Sequence, residues 1–205
     1  MTSAIIWGAA ALVYLAFRGW YDNWRGPLTA AEIDALMARA DRGAAGSDTA
    51  RAAIRAFLEA DDGREFVMFN LVKTTRDPVP DPLGGPDKPG IDLLNRYARH
   101  FIRVLVRRGG HPLMVRRKIG GYVDSWAAGE DPGWSVIGLM RYRSRRDMML
   151  LALDPEFARH HPDKLAGTLA TFSFPTAPQL SLVLGPRTSV ALILALGASL
   201  VDLWR

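Results

Sequence analysis

The pattern of apolar and polar positions divides this chain into two kinds of material. Residues 2–17 (TSAIIWGAAALVYLAF) carry no charged side chain, and residues 188–204 (TSVALILALGASLVDLW) carry only Asp202. Neither run has the polar face of a helix lying on a globular core, so both are predicted to face lipid. At about 1.5 Å per residue each comes close to spanning the roughly 30 Å hydrocarbon layer, with Arg18 able to snorkel. Arg18, Trp20, Tyr21 and Trp24 after the first run, and Arg187 and Trp204 around the second, are residue types of a membrane interface. The first run lacks the basic leader and small-residue cleavage site of a signal peptide, which favours an uncleaved anchor. Ala191, Ala195 and Ser199 form a small-residue row that permits close helix approach.

Between these ends the pattern changes to amphipathic helices and two-faced strands. Residues 28–42 predict a helix opened by a Thr29/Glu32 capping box, with Ile33, Leu36 and Met37 on one face. Gly43 to Gly46 breaks it, and residues 48–60 predict a second helix with Ile54, Phe57 and Leu58 as its stripe. Residues 64–73 (REFVMFNLVK) predict a strand with both faces apolar, in which Asn70 is the polar exception and must find hydrogen-bond partners. A Pro/Gly/Asp-rich loop follows at residues 74–90, without the Gly-Lys-Ser/Thr of a phosphate loop. Residues 91–108 are helical in period, with Leu94, Tyr97, Phe101, Val104 and Leu105 on one face and Arg96, Arg99, Arg103 and Arg107 down another. Gly109 and Gly110 end this helix, and residues 111–122 return as a strand with a glycine-marked bend.

The strongest local signal is the stretch 133–157. A strand through Trp134, Val136, Gly138, Met140 and Tyr142 on one face, and Ile137 and Leu139 on the other, leads to a helix capped by Ser144 and Asp147. A strand apolar on both faces needs helices over one side and a second layer over the other. Further helix is expected around residues 157–161 and 162–169. Short strands are expected at residues 171–174 and 179–184.

Composition adds three constraints. The 205 residues contain no cysteine, which excludes disulfides, thiolate metal sites and a cysteine nucleophile. The net charge is +5, and a membrane-anchored chain whose Arg18, Arg25 and Arg187 flank one side explains it without nucleic acid. Two spans place the middle of the chain on one side and both termini on the other. The basic flanks then put the domain in the cytoplasm, on the bacterial inner membrane. The expected organisation is an anchor at 1–24, a helical hairpin at 25–63, an α+β domain at 64–186 and a second transmembrane helix at 187–205.

The order strand, helix, strand, strand, helix, strand is the ferredoxin-like βαββαβ arrangement with an antiparallel sheet. FVMFNLVK, the helix with Tyr97, GGHPLMV, WSVIGLMRYRSRRDMM, DPEF and KLAGT resemble the dimeric α+β barrel superfamily, in an uncharacterised branch, over about residues 65–174. The resemblance implies two such sheets packed face to face as a homodimer. The added hairpin and spans leave open that this chain's own helices or another subunit cover the sheet instead. Members of that superfamily include monooxygenases, isomerases and haem enzymes, so the fold alone selects no activity.

Candidate chemistry is sparse. His160 and His161 are adjacent, so on a helix they diverge by about 100° and do not chelate one metal together. No triad, dinucleotide fingerprint or Walker motif is readable, and no cofactor or metal is expected. A pocket, where one exists, is expected between sheet and helices near Asn70, Tyr97, His111, Trp134 and Tyr142. The arginine row Arg96, Arg99, Arg103 and Arg107 is a candidate face for an acidic partner or anionic headgroups. Two functions fit: a non-catalytic accessory subunit binding other membrane protein subunits through its spans and domain, or a membrane-tethered small-molecule binder or enzyme.

Overall fold

The computed structural model describes residues 2–41, 48–179 and 184–204. The glycine break at 43–46, Arg205 and most of the strand expected at 179–184 lie outside the described residues. The chain forms two compact units, one from Met1–Trp24 with Pro178–Arg205 and one from Arg25–Ala177. The helical hairpin thus belongs to the same unit as the sheet.

In the first unit, α1 (Ser3–Tyr21) and α7 (Pro186–Leu203) pack antiparallel. At one end Ser3 Oγ donates to Asp202 Oδ1 at 2.9 Å. At the other, Arg187 donates to Asp22 at 2.8 Å and lies 4.8 Å from the Tyr21 ring centroid, while Arg18 pairs with the same carboxylate. Along both helices Leu12, Leu15, Leu192, Ile193, Leu196 and Leu200 are exposed. Both helices are long and apolar enough to cross a membrane, with mean hydropathy of 1.3 and 1.4.

The second unit is α+β, with a four-stranded antiparallel sheet. Its elements are α2 (Ala30–Asp41), α3 (Asp48–Glu59), β1 (Phe66–Thr74), α4 (Gly90–Arg107), β2 (His111–Arg117), β3 (Val136–Tyr142), α5 (Arg145–Ala152), α6 (Pro155–Gly167) and β4 (Thr168–Thr176). The spatial order is β2-β3-β1-β4. Register places Phe66 opposite Tyr142, Met68 opposite Met140 and Asn70 opposite Gly138, so these side chains share one face. That face carries the core, where Phe66, Tyr142, Phe101, Val104, Leu105 and Leu151 are buried together and Phe57, Tyr97, Met148 and Phe157 pack around them.

The elements form where local chemistry supports them. Ser144 Oγ accepts from the Asp147 backbone N–H at 3.1 Å and caps α5, and Asp154 caps α6 with Pro155 in the first turn. Thr29 and Glu32 close the capping box of α2 in both directions, at 3.0 and 3.3 Å. The α2–α3 hairpin packs on α5 through Ile33, Leu36, Met37, Leu58 and Met149. Arg146 fastens it there, donating to both Glu32 oxygens at 3.1 and 3.0 Å and to the carbonyls of Gly26 and Pro27. The start of α4 meets the end of α6 so closely that a Cβ on Gly167 would lie 2.6 Å from the Gly90 carbonyl oxygen and 2.9 Å from Leu93 Cβ.

Two sequence expectations shift. The helix expected in pieces around Pro162 is one continuous element, α6, held along its length against α4. The strand from His111 ends at Arg117 instead of Tyr122. Gly120 and Gly121 fall in a loop whose base is tied by Lys118 to Asp131 and by the Lys118 N–H to the Ser135 carbonyl.

Candidate functional site

The sheet of the α+β unit has two faces, and alternation along the strands sets both. Phe69 and Leu71 of β1, Ile137 and Leu139 of β3, Met114 of β2 and Phe172 and Phe174 of β4 project from the face opposite the helices. None of them joins either buried core cluster. Phe172 is 56% exposed, Met114 40% and Phe174 37%, while Phe69, Leu71, Ile137 and Leu139 are half-buried. Phe69 stacks on Phe174 at 5.2 Å, and Phe172 meets Phe174 at 5.6 Å, making a continuous aromatic strip. Only the end near Val67 and Arg141 is buried, where Arg141 reaches Glu65 and the Gly109 carbonyl.

The other face of the sheet meets the helices. Here Met68, Asn70, Tyr97, Met140, His161 and Lys164 remain half-buried although they lie between the layers, and Thr171, Ser173 and Pro175 of β4 are exposed. Tyr97 packs against Phe101 at 5.7 Å, Phe157 at 6.0 Å and His161 at 6.3 Å. The Lys164 amine sits 5.8 Å from the Tyr97 ring centroid, a cation–π contact, and burial lowers its pKa from the usual lysine value. Burial likewise pushes the Tyr97 and Tyr142 phenols above the usual tyrosine range.

The five residues expected around one pocket are not all brought together. Asn70 is satisfied within the sheet, donating to the carbonyls of Met68 and Gly138 at 3.1 Å each and accepting from Ser173 Oγ at 2.8 Å. Tyr142 is buried and stacked on Phe66 at 5.1 Å. His111 is opposite Arg141, on the other face of the sheet from Tyr142, and its Nδ1 lies 3.1 Å from the Pro112 carbonyl. Trp134 precedes β3, at the opposite end of that strand from Tyr142. Tyr97 packs against the core cluster that holds Tyr142, and Asn70 lies on the same face of the sheet as Tyr142.

The arginine row is largely engaged with α6 and the 74–90 loop. Arg96 donates to both Asp163 oxygens at 2.7 and 2.6 Å and to both Asp81 oxygens at 3.0 and 2.6 Å. Those hydrogen bonds hold the Asp81 carboxyl well below the usual range. Arg107 and Arg103 pair with Glu156, lowering its pKa, and His100 lies 3.5 Å from the same carboxylate. Arg99 is exposed. Among the described residues no cluster of three or more His, Cys, Asp or Glu is placed to hold a metal ion. Trp20, Trp24 and Trp204 are exposed at helix ends.

Sequence reasoning missed Lys164 and the aromatic strip. The absence of any charged residue from 165 to 186 was a readable signal for the exposed β4.

The molecule is thus an α+β domain combined with a pair of apolar helices. No protein-family model matches the sequence, and no curated protein matches it. Among solved structures, RPA0582, a protein of unknown function from Rhodopseudomonas palustris, resembles it with a TM-score of 0.53 at 19% identity, over 66% of this chain and 96% of that one. The methylated form of RPA0582 gives a TM-score of 0.52 at 19% identity, over 69% of this chain and 94% of that one. At this identity the likeness concerns the fold alone.

Proposed function

We propose that this protein is a membrane-anchored, non-catalytic accessory subunit whose α+β domain docks onto another subunit of a membrane complex. The observation that carries the reading is the apolar sheet face from Met114 to Phe172. The helices of the α+β unit pack on the opposite face, and the hairpin packs on α5. A strip of exposed aromatic and aliphatic side chains on a rigid sheet is the composition of an interface core. The strand order, with helices on one side, supports the ferredoxin-like reading, and the resemblance to dimeric α+β barrels makes a second copy the competing cover for this face. The two apolar helices supply the anchor, and Arg18, Arg25 and Arg187 support a cytoplasmic domain.

A second reading, a membrane-tethered small-molecule binder, is favoured by Lys164, whose half-buried amine lies over the Tyr97 ring. Extraction in mild detergent followed by affinity purification separates the two. Stoichiometric copurification of other membrane subunits is the expected result. A homogeneous self-assembly carrying a bound small molecule, without other chains, overturns the accessory reading in favour of the second.

A further inference from the structure

Among the described residues the two outer strands of the sheet are β2 and β4, and they differ in charge. β2 carries a register bulge between Pro112 and Met114 and ends in Arg116 and Arg117, followed by Lys118. Basic residues, bulges and prolines are standard means by which outer strands avoid pairing with another chain; β4 carries a bulge and Pro175 but no charge. β4 has nine residues without a charge, and residues 169–175 are exposed on both faces. Its pairing with β1 is regular from Thr176 to Ala170, the irregularity falling at Thr168. Pro175 lacks an N–H, so in a strand paired with β1 its nitrogen belongs to the outward series. The N–H and C=O groups of Thr171 and Ser173 are in the same series and, among the described residues, face no other strand of the sheet.

The sequence of β4, TLATFSFPT, is complementary to itself when run antiparallel about Phe172. Thr168 then opposes Thr176, Leu169 opposes Pro175, Ala170 opposes Phe174, Thr171 opposes Ser173, and Phe172 opposes its own copy. One face of this register pairs Ala170 with Phe174 and Phe172 with its own copy, and the other pairs Thr171 with Ser173 between Leu169–Pro175 pairs, so small meets large, aromatic meets aromatic and hydroxyl meets hydroxyl. Like charges never meet, because the strand has none.

We propose that β4 is a self-association strand, pairing antiparallel with β4 of a second copy of this chain about a two-fold axis through Phe172. The two four-stranded sheets become one continuous sheet, and the interface is isologous, the same strand serving both sides. Pairing is edge to edge, so the apolar sheet face remains open to another subunit. The inference does not depend on whether the chain acts as an accessory subunit or as a ligand binder.

The chain has no cysteine, so introduced cysteines report contacts without background. Thr171→Cys and Ser173→Cys chains, differently tagged and coexpressed at full length, are oxidised in mild detergent. Directly opposed residues have Cβ atoms about 4.5–5.5 Å apart and diagonal ones about 7–8 Å, so only the mixed pair meets disulfide geometry closely. The expected result is a heterodimeric cross-link at least about fivefold above either variant alone, given that geometry. A Leu113→Cys control on β2 is expected to give no cross-link. Thr171→Lys/Ser173→Lys, which sets lysines opposite one another, is expected to convert a dimer of twice 22.6 kDa to a monomer while circular dichroism stays unchanged. A monomeric wild type, equal cross-linking in all variants, cross-linking only through Leu113→Cys, or a dimer indifferent to the lysines overturns the proposal.

Discussion

Replacing Arg146 with Met tests how the helical hairpin is fastened to the α+β core. Arg146 is 5% exposed, and its guanidinium donates to Glu32 Oε1 and Oε2 and to the carbonyls of Gly26 and Pro27. Hydrogen bonds to a charged partner contribute about 1.5–3 kcal/mol each, and the backbone carbonyls add to this. The Glu32 side chain is 31% exposed, so water recovers part of the loss when the guanidinium is removed. The expected destabilisation is therefore about 3 kcal/mol, at the lower end for a broken buried pair. Arg146→Lys keeps the charge without the planar fork and is expected to lose roughly half as much.

The pair also makes a pH-dependent contribution. Hydrogen bonds from Arg146 and from the Thr29 backbone hold the Glu32 pKa at about 2, below its usual 4.5. A carboxylate depressed on folding adds stability above its unfolded pKa, and that stability is lost as pH falls through the folded value. The difference between wild type and Arg146→Met is thus constant near neutrality and narrows from pH 4.5 toward pH 2. Urea unfolding of the full chain in mild detergent, followed by tryptophan fluorescence, measures both effects. A loss below about 1 kcal/mol, the value of an exposed pair, would refute the reasoning, as would a gap that widens on acidification.

Leu58→Ala removes a side chain that is fully buried between the hairpin and α5, and is expected to cost about 2–5 kcal/mol by the same unfolding assay. Gly167→Ala places a methyl within 2.6 Å of the Gly90 carbonyl, a backbone group that cannot rotate away, so a loss of about 1–3 kcal/mol is expected. Asp202→Ala deletes the acceptor for Ser3 Oγ. It is expected to increase the distance between spin labels at the Ser3 and Asp202 ends of α1 and α7 in lipid, with unfolding of the α+β unit unchanged.

What was legible in the sequence follows from how far apart the interacting residues are. The Thr29/Glu32 box and the Ser144/Asp147 cap are encoded within four residues and read directly. The second role of Glu32, receiving Arg146 from 114 residues away, has no local signature. Alternation puts Ile137 and Leu139 on one face of their strand, but periodicity cannot say which face helices cover or that Phe69 and Leu71 of β1 join them there. Arg96, Arg103 and Arg107 look like a solvated row by spacing alone. Their acceptors, Asp81, Asp163 and Glu156, come from a loop and from α6. Pro162 suggested a break because proline weakens an isolated helix, and packing along α4 outweighs that preference.

The most direct test is a photo-reactive residue at Met114, which lies on the open sheet face away from β4. In intact cells, docking onto another membrane subunit predicts one discrete adduct heavier than the chain and containing a different protein, with none from a probe at Arg99 on α4. Adducts only to a second copy of this chain, only to lipid, or equal labelling from both positions would contradict the account.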